Sequence, residues 1–344
     1  MGCNNCSNAH DLSEMINERQ SIINQNEEGN KNENELFNSN SGDEIINFEE
    51  EKQKIMEKLS LKGSFLKEDI NLILDKINPK INSFEIPTEK LEKELKSNII
   101  KLPLIKMNDG GLYEGNWNLE GEKEGFGICI YNDEKIYKGL WKNGNFDEFG
   151  CLFNNKNNYY IGQFSNGIAK GKGELLINNK IKIVGEFDND LPNGKGNIVY
   201  LEDQIDYTGN IVNGVKDGFG KLKFKDGTVY EGEFKEDKYN GKGKIMYSDN
   251  SEYEGDFHNN LKEGKGIFKW ADGKIYEGEF KNDKKHGKGK FIFKTNQFYE
   301  GCWINDFAHG KGLYNFNGKK YFGIFKYGKM IIEKNNDSSK NIFE

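Results

Sequence analysis

The feature that most constrains this chain is a pair of glycine motifs that recur together, with a period of about 23 residues, over its last two thirds. The first motif reads Tyr-x-Gly-x-Phe or Tyr-x-Gly-x-Trp, as in Tyr113-Glu114-Gly115-Asn116-Trp117 and Tyr276-Glu277-Gly278-Glu279-Phe280. Its central glycines are Gly115, Gly139, Gly162, Gly185, Gly209, Gly232, Gly255, Gly278, Gly301 and Gly323, and their separations vary by one position at most from that period. The second motif, Gly-x-Gly, follows each of the first nine. Gly125-Phe126-Gly127 and Gly241-Lys242-Gly243 are examples, and only Glu148-Phe149-Gly150 lacks the first glycine. Two interleaved motifs in constant register make the chain an array of about nine equivalent units.

Each unit reads as a β-hairpin. In Thr228-Val229-Tyr230-Glu231-Gly232-Glu233-Phe234 the rings and the glycine alternate with polar residues, which puts them on opposite faces of a strand. In the second strand Gly241, Gly243, Ile245 and Tyr247 share one parity and the lysines take the other; Gly266, Phe268 and Trp270 repeat the pattern, as do Gly289, Phe291 and Phe293. Turn dipeptides such as Asp226-Gly227, Asp272-Gly273 and Asn317-Gly318 separate the units. Glycine inside a strand is costly unless something must approach the backbone. Here large rings can fill the slots that the glycines leave, which replaces the core that a single-layer sheet lacks.

Composition supports a thin, extended architecture: 35% hydrophobic, 31% charged, 41 Gly and only 4 Pro, with a mean hydropathy of −0.84. Net charge is −7, all of it carried by residues 1–105 (13 Lys/Arg against 20 Asp/Glu), while residues 106–344 balance at 36 of each. Without a basic stripe, nucleic acid is not an expected partner. No apolar run is long enough to span a membrane as a helix, and no secretory signal is recognisable. The five cysteines are odd in number and dispersed, which points to a reducing compartment.

On the residues quoted, together with His286-Gly287-Lys288-Gly289 and His309-Gly310-Lys311-Gly312, the chain resembles the MORN-repeat family over roughly residues 110–330. The resemblance implies an all-β fold: an elongated, single-layer antiparallel sheet of hairpins with a trough along its aromatic face. It also implies a scaffold role, tethering membranes, cytoskeleton or ciliary parts, with lipid binding in some members. The expected interaction trough comprises Tyr230, Phe234, Tyr253, Phe257, Tyr276, Phe280, Tyr299 and Trp303. Ile183 and Ile211 depart from the pattern and should thin the ring row.

The expected organisation is a disordered N-terminus over 1–43, short amphipathic helices over 44–105, the repeat array with a partial cap over 106–330, and a loose tail over 331–344. Apolar spacing at Ile45, Phe48, Ile55, Leu59, Ile70, Ile73, Leu74 and Ile77 carries the helices, and Thr88, Leu91 and Leu95 add a further turn. The start Met1-Gly2-Cys3-Asn4-Asn5-Cys6-Ser7 resembles an N-myristoylation signal with Cys6 where Ser or Thr is usual. Gly2 is then the myristoyl acceptor, and Cys3 and Cys6 are palmitoylation sites, since one myristoyl chain anchors only weakly. The competing reading is a free terminus with two incidental thiols.

No motif supports catalysis, a metal or a cofactor. The Gly-x-Gly pairs lack the strand–loop–helix setting of a nucleotide site. Asp188-Asn189-Asp190-Leu191-Pro192 begins like a calcium loop, but Pro192 fills a ligand position. His286 and His309 occupy equivalent repeat positions, expected in loops. The expectation is a non-enzymatic scaffold, cytoplasmic and associated with membrane, cytoskeleton or cilium, that holds a protein peptide or helix. The alternative is a regulator whose repeats bind phosphoinositide or other phospholipid.

Overall fold

The computed structural model describes residues 84–85 and 99–331, apart from 108, 134 and 155–157. The expected disorder over 1–43, the helices over 44–78 and 88–97, the acyl acceptors Gly2, Cys3 and Cys6 and the tail beyond Ile331 lie outside the described residues. All regular structure that is described is strand: 21 strands of one antiparallel sheet. The chain divides into two compact units, Met1–Glu202 with Ile211–Gly214, and Asp203–Asn210 with Val215–Glu344.

The repeat register follows from the glycines. In the second unit Gly232 stands opposite Gly243, Gly243 opposite Gly255, Gly255 opposite Gly266, and so on to Gly312 opposite Gly323. In the first unit Gly115, Gly127, Gly139, Gly150, Gly162 and Gly173 pair in the same way. One glycine per strand thus forms a groove, and the repeat tyrosines lie in it, except where Ile183 takes the tyrosine position. An ideal Cβ on Gly255 would sit 2.5 Å from the Gly266 Cα, and one on Gly266 would sit 2.5 Å from the Tyr253 ring. Each tyrosine hydroxyl donates to the carbonyl three residues on, as from Tyr230 to Glu233 at 2.7 Å and from Tyr253 to Asp256 at 2.9 Å.

Tight turns close the hairpins. Glu236-Asp237, Asn259-Asn260, Asn282-Asp283 and Asn305-Asp306 all have positive φ at both positions, which is type I′ geometry matched to the sheet twist. The second turn residue also clamps the preceding repeat. Asp237 N–H donates to the Lys216 carbonyl at 2.9 Å, while Lys216 N–H donates to the Asp237 carboxylate at 3.0 Å. Asn260 with Tyr239, Asp283 with Lys262, Asp306 with Lys285 and Asp190 with Ala169 repeat the exchange. The segment that begins like a calcium loop is therefore a hairpin turn whose Asp190 bonds to backbone.

The sheet begins earlier than residue 106. Ile100–Lys106 is a strand paired with Leu112–Trp117, with an irregularity between Leu102 and Ile105. That bulge contains Pro103 and hides the alternation of Ile100 and Leu102 with Ile105 from a strict period of two. His286 and His309 lie within the strands Lys284–Lys294 and Phe307–Phe316, not in loops.

Candidate interaction surface

The eight rings expected to line an open trough are interior residues. Tyr230, Tyr253 and Tyr276 have no solvent exposure, Tyr299 has 3%, and Phe234, Phe257, Phe280 and Trp303 have 3–6%. They bury one another. Tyr253 meets Phe257 edge-on at 5.1 Å and Phe280 of the next repeat at 5.0 Å, and Tyr276 meets Phe280 at 5.1 Å and Trp303 at 5.3 Å. Burial raises the pKa of the hydroxyls of Tyr207, Tyr230, Tyr253 and Tyr276, with nearby carboxylates adding to the effect, and pushes Tyr299 up to about 12. These rings hold the sheet together and offer no surface to a partner.

In several repeats the residue two places before the first glycine of the Gly-x-Gly motif roofs the tyrosine. Tyr239 stacks on Tyr230 at 3.7 Å, and Phe146, at the same repeat position, stacks on Tyr137 at 3.8 Å. In other repeats the roof is an ammonium. Lys216 lies 5.9 Å from the Tyr207 ring centre, Lys262 lies 5.6 Å from Tyr253, and Lys285 lies 5.9 Å from Tyr276. Lys216 also forms a buried pair with Asp237 at 2.6 Å. Desolvation lowers the pKa of Lys285, only partly offset by Asp306. Sequence reasoning assigned the lysines to the polar face and missed these; their shared parity with the glycines was the available signal.

The surface that stays open on the ring face lies beside the buried row. In the second unit Phe224, Tyr247, Trp270, Phe293 and Phe316 occupy the same position of successive repeats and are half-buried or exposed; Phe293 and Phe316 each keep 38% of their area. Bridging rings make the row continuous. Tyr247–Phe268 centres are 5.9 Å apart, Phe268–Trp270 4.4 Å, Trp270–Phe291 5.2 Å and Phe291–Phe293 4.6 Å. The equivalent residues of the first unit include Ile177 and Tyr200, which are buried. The parity that groups Tyr247, Trp270 and Phe293 with the glycines was legible in the sequence; that these rings and not the tyrosine row stay open was not.

The opposite face of the second unit is a shallow groove of about 1630 Å³ with the glycine backbone as its floor and charged side chains above it. Four of its seven lysines are held in ion pairs. Lys221 meets Glu231 at 3.0 Å, Lys244 meets Glu252 at 2.9 Å, Lys290 meets Glu300 at 3.4 Å, and Lys242 pairs with Asp256. In the first unit the part of this face over Phe126–Phe153 is apolar. Ile128, Ile130, Ile136, Leu140, Cys151 and Phe153 form a buried cluster with Leu104 and with Phe84, whose ring stacks on Phe149 at 5.8 Å. Burial drives the Cys151 thiol pKa well up, so it is no nucleophile. Among the described residues no group of His, Cys, Asp and Glu could hold a metal ion, and no helix is long and apolar enough to cross a membrane.

Known structures give distant likenesses. The TCP domain of Drosophila melanogaster SAS-4 (dCPAP), solved in complex with a proline-rich motif of Ana2 (dSTIL), is 17% identical, covers 46% of this chain and 87% of that one, and has a TM-score of 0.29. The TCP10 domain of Danio rerio CPAP, in complex with a STIL peptide, is 14% identical, covers 59% and 92%, and scores 0.35. Scores of this size do not establish a shared arrangement of the whole chain. No curated protein sequence matches. The MORN repeat family model matches nine times, at 113–134, 137–157, 160–180, 184–200, 207–229, 230–252, 253–275, 276–297 and 299–318. The hairpins, their paired glycines and the tyrosines seated on them are those nine repeats, and the chain belongs to the MORN-repeat family.

Proposed function

We propose that this chain is a non-catalytic scaffold whose second unit holds a protein partner, and that its N-terminus tethers the assembly to a membrane or to the cytoskeleton. The observation that carries the binding role is the open aromatic row Tyr247, Trp270, Phe293 and Phe316 beside a fully buried ring core. The core needs only the inner rings, so aromatic residues at the outer position of five successive repeats are supernumerary for folding. A contiguous exposed apolar strip is the usual mark of an interaction site. On the other face Lys221, Lys244 and Lys290 are already paired with carboxylates, which reduces what that groove offers to an anionic lipid headgroup.

Tethering rests on Gly2, Cys3 and Cys6, in a cytoplasmic, membrane-associated or cytoskeletal setting. Proximity labelling from the full chain, compared with a Phe293→Ser/Phe316→Ser variant of unchanged thermal stability, tests the binding role. A set of neighbours present for the parent and lost for the variant is the expected result; identical sets would remove the aromatic row from function. Fractionation of Gly2→Ala against the parent tests the anchor: the parent should sediment with membranes and the variant should not. A parent that stays soluble excludes the acyl tether.

A further inference from the structure

We propose that the open aromatic row of the second unit recognises a proline-rich segment in the polyproline II conformation, seated with one turn on each repeat. This rests on the scaffold reading above and names the chemistry of its partner.

The spacing is the first argument. Tyr247, Trp270, Phe293 and Phe316 stand one per repeat, and each repeat advances the sheet by two strands, roughly 9.4–9.8 Å. A polyproline II helix has three residues per turn at 3.1 Å each, so its pitch is about 9.3 Å. Every third residue then falls over the next ring, with a mismatch that accumulates to about 1 Å over the row. Two turns of α-helix cover about 10.8 Å and slip by several ångströms over the same length. An extended strand returns a side chain to one face every ~6.6–6.8 Å, which meets the rings out of phase. Strand addition is not available along the row, because these strands already pair on both sides.

Charge complementarity is the second argument. Two ammonium donors, Lys262 and Lys285, are set among the rings, each beside a carboxylate. Lys285 Nζ lies 4.9 Å from the Phe291 and Trp303 ring centres and 5.6 Å from that of Trp270, and its carboxylate partner, Asp306, is 4.0 Å away. Lys262 Nζ donates to the Tyr247 hydroxyl at 3.3 Å and reaches Asp283 at 3.4 Å. A proline-rich segment is the complementary ligand: proline has no backbone N–H, so the segment offers carbonyl acceptors without competing donors. Aromatic grooves with such donors are the common device for reading a preformed polyproline II helix, whose ordering cost is low.

The test uses the full chain and synthetic oligoprolines of two, three, four and five helical turns, with glycine-serine peptides of the same lengths as controls, read by titration calorimetry and tryptophan fluorescence. Affinity should rise stepwise with each added turn and level off once the row is covered, while the glycine-serine peptides do not bind. Phe293→Ser/Phe316→Ser, at exposed positions, should weaken binding of the four-turn oligoproline by at least about tenfold, as loss of aromatic anchors does, with thermal unfolding unchanged. Trp270→Ala should weaken it similarly and abolish the fluorescence change. No binding at millimolar oligoproline, equal binding of the glycine-serine peptides, or binding untouched by these variants overturns the proposal. If cellular neighbours are lost in the Phe293→Ser/Phe316→Ser variant while oligoproline fails to bind, the scaffold stands and the polyproline reading falls.

Discussion

The two units are built on one backbone rule and differ in what they do with the face that rule leaves unassigned. In both, the ring face is fixed, because tyrosines must lie on paired glycines. The other face is free to vary. In the first unit Ile128, Leu140, Cys151 and Phe153 occupy it and bury themselves with Phe84. In the second unit Lys221, Glu231, Lys244, Glu277, Lys290 and Glu300 occupy it and stay wet. The outer ring position shows the reverse contrast: it ends in buried Ile177 and Tyr200 in the first unit and in half-open Tyr247, Trp270, Phe293 and Phe316 in the second. The first unit therefore has an added apolar layer, while the second keeps its outer rings partly exposed. The two units thus differ in side chains on both faces of their strands, with no change of fold.

The largest expected effect distinguishes the units by pH. The hydroxyls of Tyr207, Tyr230, Tyr253, Tyr276 and Tyr299 keep their protons above the ordinary tyrosine value of about 10 when folded. A raised folded pKa leaves stability intact below about pH 10, and stability is lost as pH rises further, because only the unfolded chain then releases protons. The second unit carries five such residues. In the first, Tyr131, Tyr137 and Tyr159 are raised, and Ile183 replaces one repeat tyrosine. Alkaline unfolding followed by ultraviolet absorption of tyrosinate should be cooperative, with far-ultraviolet circular dichroism lost in the same step. Hydrogen exchange should show the second unit, which lacks the apolar cover, opening at lower pH. Gradual ionisation of every tyrosine near pH 10 with the fold intact would contradict the buried interlock.

Next in size is the rule the units share. A Cβ on Gly255 would lie 2.5 Å from the Gly266 Cα, and one on Gly162 would lie 2.6 Å from the Gly173 Cα. Each neighbour is backbone, so the clash cannot be relieved by a rotamer change. Gly255→Ala and Gly162→Ala should each destabilise their own unit by about 3 kcal/mol, the upper part of the range for overpacking. Hydrogen exchange localises the loss, which a single melting temperature of a two-unit chain does not. A response in only one unit would mean that the interlock is not common to both.

Phe84→Ala probes the added layer. Phe84 is 9% exposed and its ring stacks on Phe149. Truncating it should cost about 3 kcal/mol, as for other buried phenylalanines, and should speed exchange in Phe126–Phe153 while leaving Glu252–Ile304 unaffected. Equal exchange in both segments would show that the first unit does not depend on its cover.

The period of the glycines made the hairpins and the alternation of rings and polar residues between two faces legible in the sequence. The function of the ring row was not. Tyr253 and Phe280 look like a surface when one strand is read alone, and become interior only when the edge-on contact between successive repeats is known. The roofing lysines were missed for a related reason. Lys262 and Lys285 share parity with the glycines, but a charged side chain over a ring cluster defies simple polarity assignment, and only the clamp to Asp283 or Asp306 fixes the ammonium there. The start of the sheet was hidden by one inserted residue around Pro103.

The smallest effect concerns the charge ladder, and it decides whether the wet face of the second unit is structure or merely solvent-compatible. Lys221 and Glu231 are directly opposed on neighbouring strands, 3.0 Å apart, with side-chain exposures of 45% and 50%. At such exposure, Coulomb attraction is screened and ordering two long side chains offsets part of it. A double-mutant cycle of Lys221→Ala and Glu231→Ala should give a coupling of about 0.5 kcal/mol or less, and the coupling should fade as salt is raised toward 1 M. Glu254→Ala, which faces the same groove, should be nearly silent, within about 0.5 kcal/mol. A salt-independent coupling well above about 1 kcal/mol would mean that the ladder is desolvated in solution. Something would then have to cover that groove, as Phe84 helps to cover the first unit, and the contrast between a closed unit and an open one would fail.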